Sequence, residues 1–261
     1  MASALIGGLL RAGRPAAEIL VIEPFAAQRD KLVADFGVAP LAAAGPALAG
    51  AELVVWAVKP QLFAEAAAPC ALLVAGALQI SVMAGIRCAS IARAIGVAAE
   101  AARIVRSMPN TPALIGRGIA GLYATPAVTV AERALVEQLL APTGQTLWVD
   151  REVDLDAVTA LSGSGPAYVF YVIEAMLAAA AKMGLSPAQG KRLALATLDG
   201  ATELAARSDE PPAVLRERVT SKGGTTYAAL QSLQADGVGP AFVKALKAAQ
   251  QRAAELGDEF G

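Results

Sequence analysis

Short apolar runs rich in Val, Ile and Leu alternate with longer alanine-rich amphipathic stretches through residues 1–150, and then the alternation stops. That rhythm predicts an α/β domain with a largely parallel sheet, because parallel strands are joined by crossover helices that cover both faces. Strands are expected at 19–22, 53–58, 78–82, 103–107, 119–123 and 146–149, most of them apolar on both faces. From 151 to 261 strand-like runs are absent and helix punctuation takes over: Pro166 opens a long apolar stretch, Ser186-Pro187 starts another helix and Gly239-Pro240 the last. The reading is therefore two domains, an α/β domain over 1–150 and an all-helical domain over 151–261. The helix expected over 166–183 is apolar almost all round, with Glu174 and Lys182 its only charges. Such a helix needs a covering surface, and a second copy of the chain is the economical one, so a homodimer is expected.

Composition removes several kinds of chemistry. The 261 residues contain no histidine, which excludes Ser-His-Asp and Cys-His catalysis and His-based zinc sites; no metal site is expected. Lys and Arg number 22 against 23 Asp and Glu, and neither half is polarised, so the electrostatic footprint of a nucleic-acid binder is missing. Cys70 and Cys88 have no metal-ligand spacing, and a chain this long needs no disulfide staple, which fits a reducing, cytoplasmic compartment. Residues 66–86 are uncharged and long enough to span a bilayer. Pro69, Gly76, Gln79, Ser81 and Gly85 interrupt that run, so it reads as a buried strand bounded by glycines, and no membrane partner is expected.

Several segments carry residue types suited to ligand binding. The chain opens in helical periodicity at Met1, whereas a doubly wound domain begins with a strand and a glycine-rich turn that holds a pyrophosphate at a helix N-terminus. Glu23 follows the first expected strand, where an acid favours a free ribose 2'-hydroxyl, while the nearby Gln28 and Arg29 suit a 2'-phosphate; NADPH and NADH stay open. Ala57-Val58-Lys59-Pro60-Gln61 ends the second strand at the edge where ligands sit. Met108-Pro109-Asn110-Thr111-Pro112-Ala113 reads as a rigid turn, and Leu161-Ser162-Gly163-Ser164-Gly165-Pro166 permits close backbone approach before a helix. Val219-Thr220-Ser221-Lys222-Gly223-Gly224-Thr225-Thr226 reads as a loop entering a helix, whose successive N–H groups can form a nest for an anion such as a carboxylate.

Taken together, AVKPQ at 57–61, MPNTPA at 108–113, LSGSGPAYVF at 161–170 and VTSKGGTT at 219–226 resemble pyrroline-5-carboxylate reductase, in order and spacing, over the whole chain. The resemblance implies a Rossmann-like domain followed by a helical dimerisation domain, and reduction of 1-pyrroline-5-carboxylate to L-proline with NADPH or NADH. It places Thr226 at the substrate ring nitrogen as the catalytic residue. The substrate carboxylate falls on Ser221, Gly223, Gly224 and Thr225, with Glu152 contributing from the partner subunit. The cofactor falls along Met1, Glu23, Ala57, Val58, Lys59 and Pro60, with Val82, Met83 and Ala84 at the next strand end. Met1-Ala2 then stands at the end of the family's glycine-rich turn, which predicts a less stable chain and a weaker cofactor binder than one extended upstream. Ring assemblies of the dimer are also implied. A related imine or 2-hydroxyacid reductase and a non-catalytic dimer are the alternative readings.

Overall fold

The structure is a computed structural model and describes residues 1–260. Its chain forms two compact units, 1–166 together with the helical end from Ala249 onward, and Ala167–Ala248. In the first unit five strands make one sheet in the order β1-β2-β3-β4-β5: β1 (Leu53–Trp56), β2 (Leu78–Ser81), β3 (Ile104–Met108), β4 (Gly118–Ala124) and β5 (Gly144–Trp148). All neighbouring pairs are parallel except β3 and β4. Their connection, 109–117, is a tight turn ending on Gly116 at φ +70°, too short for the helical crossover that a parallel return requires.

Register sorts the apolar side chains. Val55 pairs with Ile80 and Ile80 with Val105, and these three share one face with Leu5 of the helix Ala2–Arg11 and Val136 and Leu140 of the helix Val130–Leu140. Trp56 and Ile104 lie on the opposite face with Phe63, Val74, Ile91 and Ile95. Each fully buried aliphatic side chain in these rows stabilises the sheet by about 1.5–3 kcal/mol.

Residues 19–22, expected as a strand, do not form one. Ile22 makes a single bridge to Leu41, carried by Leu41 N–H to Val21 O at 2.8 Å and Glu23 N–H to Leu41 O at 2.9 Å. One bridging pair is too little to propagate a ladder, although Ile19 and Val21 still pack against Ile6, Leu32 and Val38. The apolar run 66–86 divides into parts of two short helices and β2. Its one amide, Gln79, is buried and satisfied: Oε1 accepts from Trp56 Nε1 at 2.8 Å, and Nε2 donates to Val74 O at 2.7 Å and Ala77 O at 3.0 Å.

The second unit is helical throughout. It contains most of the helix Gly165–Lys182, then Pro187–Ala206, Pro212–Arg218, Thr225–Ala235 and the first part of Val238–Phe260. Ser186 caps its helix as expected, accepting from Gln189 N–H while the Gln189 side chain accepts from Ser186 N–H. Within the single chain this unit buries little: Ala180 is the one buried residue of the helix Gly165–Lys182, while Phe170 and Tyr171 are 59% and 75% exposed. The run Asp154–Lys182 is also long and apolar enough to cross a membrane by length and composition. A π-helical turn at Thr159–Gly163 interrupts its α-helical geometry.

Candidate active site

The C-terminal ends of β1, β2 and β3 fall on one edge of the sheet, where open α/β folds bind their ligands. The last rung between the first two is Val82 N–H to Trp56 O at 3.1 Å; beyond it the chain turns away through Ala57, Val58, Lys59 and Pro60 on one side and Met83 and Ala84 on the other. Met83 is buried and its N–H donates to Ser81 Oγ at 3.3 Å, whereas Ala57, Val58, Val82 and Ala84 are half-buried and open to a ligand. Met1 caps the helix Ala2–Arg11 with its carbonyl alone, accepting from Ala4 and Leu5. The N–H groups of Ala2 and Ser3 have no partner among the described residues, and the Ser107 hydroxyl at the end of β3 is buried and also unpartnered. An accessible strand-end edge with free donors at a helix N-terminus suits a dinucleotide.

Glu23 lies at the turn into the helix Ala26–Phe36, where its Oε1 accepts from Phe25 N–H at 2.9 Å. Arg29 folds back over this turn, donating to Glu23 O at 2.9 Å and Pro24 O at 2.8 Å, so its guanidinium is anchored on the backbone of the turn that carries Glu23.

A buried charge cluster lies behind the edge. Arg106, 5% exposed in the middle of β3, donates to Glu152 Oε1 at 2.9 Å, and the same oxygen accepts from Cys88 N–H at 2.7 Å. Glu152 is thus engaged inside the first unit by one oxygen, and its Oε2 has no partner among the described residues. Arg87 lies within 3.8 Å of Asp156 and 3.6 Å of Asp258. Burial pushes the Asp156 carboxyl up against the opposing pull of Arg87 and Arg106, and burial followed by the Glu152 charge pushes the Cys88 thiol up, keeping it protonated and inert. Arg106, Arg87 and Asp156 were not singled out from the sequence. An arginine inside the apolar run 103–107 was the one available signal, since such a charge must be paired.

Two of the sequence motifs meet. Asn110 Nδ2 donates to Ser162 O at 3.2 Å and its Oδ1 accepts from Ile119 N–H at 3.0 Å, tying the β3–β4 turn to the π-helical turn. A Cβ on Gly163 would stand 2.6 Å from the Met108 methyl carbon, so the small residue at 163 is a packing requirement.

In the second unit, Thr220–Gly224 forms a loop that enters the helix Thr225–Ala235. Gly223 takes φ +76°, the left-handed conformation that lets the chain turn, and Gly224 N–H closes the turn on Ser221 O at 3.0 Å. The hydroxyls of Ser221, Thr225 and Thr226 make no hydrogen bond among the described residues, and Gly224, the N-cap, offers no side chain to the first helical N–H groups. Arg218 is held away from this loop's donors by a bidentate pair with Glu210, at 2.5 and 2.6 Å.

Residues 1–85 match the family described as NADP oxidoreductase, coenzyme F420-dependent, and 152–256 match the family described as pyrroline-5-carboxylate reductase dimerisation. Fold and matches together define a two-domain oxidoreductase, with a Rossmann-like α/β domain and a helical domain through which it forms a homodimer. Curated relatives include the pyrroline-5-carboxylate reductases of Pseudomonas aeruginosa, 45% identical over all of this chain and 95% of the relative, and Haemophilus influenzae, 38% identical over 98% and 94%. Among solved structures, a pyrroline-5-carboxylate reductase from Coxiella burnetii matches with TM-score 0.89 at 33% identity, over 98% of this chain and 94% of that one. The Plasmodium falciparum pyrroline carboxylate reductase with NADP bound matches with TM-score 0.87 at 27% identity, over the same shares. The chain belongs to the pyrroline-5-carboxylate reductase family.

Proposed function

We propose that this chain reduces 1-pyrroline-5-carboxylate to L-proline, with NADPH or NADH as hydride donor. When bound, the nicotinamide cofactor supplies the hydride that adds to the imine carbon; the chain's residues bind, orient and manage one proton. Ala57, Val58, Lys59 and Pro60, with Val82, Met83 and Ala84, line the cofactor, Met1 opens the helix whose free N–H groups receive its phosphates, and Glu23 stands at the adenosine end. Ser221, Gly223, Gly224 and Thr225 hold the substrate carboxylate. The Thr226 hydroxyl bonds the ring nitrogen, where it delivers a proton or orients the water that does, a threonine being a weak acid on its own. Glu152 Oε2 is the atom of that residue open to substrate. The observation that carries the reading is the loop Thr220–Gly224 with the start of the following helix: the hydroxyls of Ser221, Thr225 and Thr226 and the N–H groups of Ser221, Lys222 and Gly223 have no partner among the described residues, beside a positive helix end.

Residues 1–150 act as the nucleotide-binding domain and 151–261 as the dimerisation and substrate domain, in a cytoplasmic enzyme whose dimers associate into a larger ring. Val219 and Val243, also exposed, support further association. The test is NADPH- and NADH-dependent reduction of pyrroline-5-carboxylate by wild type, Thr226→Ala and Thr226→Ser. Removal of the hydroxyl should lower kcat about tenfold or more, and serine should restore most of it. Equal rates for all three would remove Thr226 from the chemistry.

A further inference from the structure

The helix Val238–Phe260 begins in the second unit and ends in the first, where Ala253 and Gly257 are its buried residues. Four contacts fix that end to the segment just after β2. A Cβ on Gly257 would stand 2.5 Å from Arg87 Nη2 and 2.8 Å from Cζ, so the guanidinium lies directly over the bare helix backbone. At Gly85, in the left-handed region at φ +78° that favours glycine, a Cβ would meet Leu256 O at 3.1 Å, a close backbone-to-backbone approach that an added side chain would crowd. Arg87 sits between Asp156 and Asp258, and Phe260 packs into the cluster that contains Met83, Ile86 and Cys88. Glu152 holds the same segment from behind through Cys88 N–H.

We infer that the last turns of this helix act as a clamp on residues 82–87, with Arg87 and Gly257 as positioning residues that keep Val82, Met83 and Ala84 shaped to receive the nicotinamide cofactor. The inference rests on the reading of Val82–Ala84 as cofactor-lining. Physically, strand-end loops are the soft part of such sheets, and a loop that must be ordered on binding charges that cost against affinity. A loop already held by backbone contact and a guanidinium is ordered beforehand.

Gly257→Ala separates this role from a merely structural one. Alanine favours a helix over glycine, so stability should hold or rise, while the added methyl displaces the flexible end of Arg87. The experiment titrates NADPH into the apo protein by calorimetry and follows hydrogen exchange at 82–87, for wild type, Gly257→Ala, Arg87→Met and Val82→Trp, with steady-state kinetics alongside. Expected are a Kd for NADPH raised roughly fivefold in Gly257→Ala and Arg87→Met, faster exchange confined to 82–87, a matching rise in cofactor KM, and kcat and substrate KM within about twofold. If Val82→Trp weakens NADPH binding and the two clamp variants do not, the clamp is overturned and the cofactor site stands. If Val82→Trp leaves the Kd unchanged, the cofactor-lining reading fails and the clamp inference fails with it.

Discussion

Arg106 carries a full charge at 5% exposure inside β3, and its one strong partner is Glu152. Removing either partner of such a pair costs more than removing both, because the survivor stays buried and uncompensated. Glu152→Ala should therefore destabilise the first unit by about 3 kcal/mol, and Arg106→Met with Glu152→Leu should recover most of that loss; urea unfolding of the three chains measures both. A double variant no more stable than Glu152→Ala would show that packing rather than charge dominates there. At the turn after Ile22, Glu23 spends one oxygen on Phe25 N–H, while Arg29 is held beside it by two carbonyls, with Nη2 and Nε still free. Each side chain is partly spent, but the Arg29 guanidinium is anchored on the turn with two nitrogens left for a 2'-phosphate, so the chain should prefer NADPH. Arg29→Ala should raise the KM for NADPH about tenfold, the size of a lost charge-assisted hydrogen bond, and leave the KM for NADH nearly unchanged. The sequence placed both residues at this turn and could not rank them, because the ranking depends on which hydrogen bonds each already makes.

Elements were legible where the chain's local chemistry decides them. β1, β2 and β3 follow from apolar runs of four or five residues, and the helix beginning at Pro187 from its Ser186 and Gln189 capping box. The run 19–22 has the same composition and fails as a strand, since a ladder depends on neighbours that composition does not reveal. The antiparallel return of β4 was likewise hidden in the length of the turn at 109–117. The loop Thr220–Gly224 was legible as a loop entering a helix, because glycines and hydroxyls end one element and start the next, whereas the approach of Arg87 to Gly257 joins residues distant in sequence. Helix Val130–Leu140 offers a pH test. Burial alone would raise the Glu132 carboxyl, but Thr129 N–H and hydroxyl and the Arg103 guanidinium together hold it below the usual range. A depressed folded value contributes stability that is complete above the unfolded value of about 4.5 and is lost as pH falls through the folded one. The gap in urea midpoint between wild type and Glu132→Gln should be open at pH 7 and close progressively below about pH 4.5; a gap constant from pH 7 to 3 would assign the effect to something other than ionisation.

At the scale of the whole molecule the helical unit is the weak point of an isolated chain. Phe170 and Tyr171 are mostly exposed, as are Leu193 and Leu204, and few of the unit's residues are buried within one copy. An apolar surface of that extent is an association surface, and the match of 152–256 to a dimerisation family says what covers it. Folding and association are then a single equilibrium, so the unfolding temperature should rise with protein concentration, as mass action requires when the folded state is a dimer. Phe170→Glu with Tyr171→Glu places two charges where a partner's apolar side chains would bury them without counter-ions. The double variant should elute as a monomer by size-exclusion chromatography with light scattering, and its Tm should be lower and independent of concentration. Persistence of the dimer would move the association surface off the helix Gly165–Lys182. A monomer with an undiminished Tm would mean that the helical unit is stable without its partner, against the little that it buries by itself.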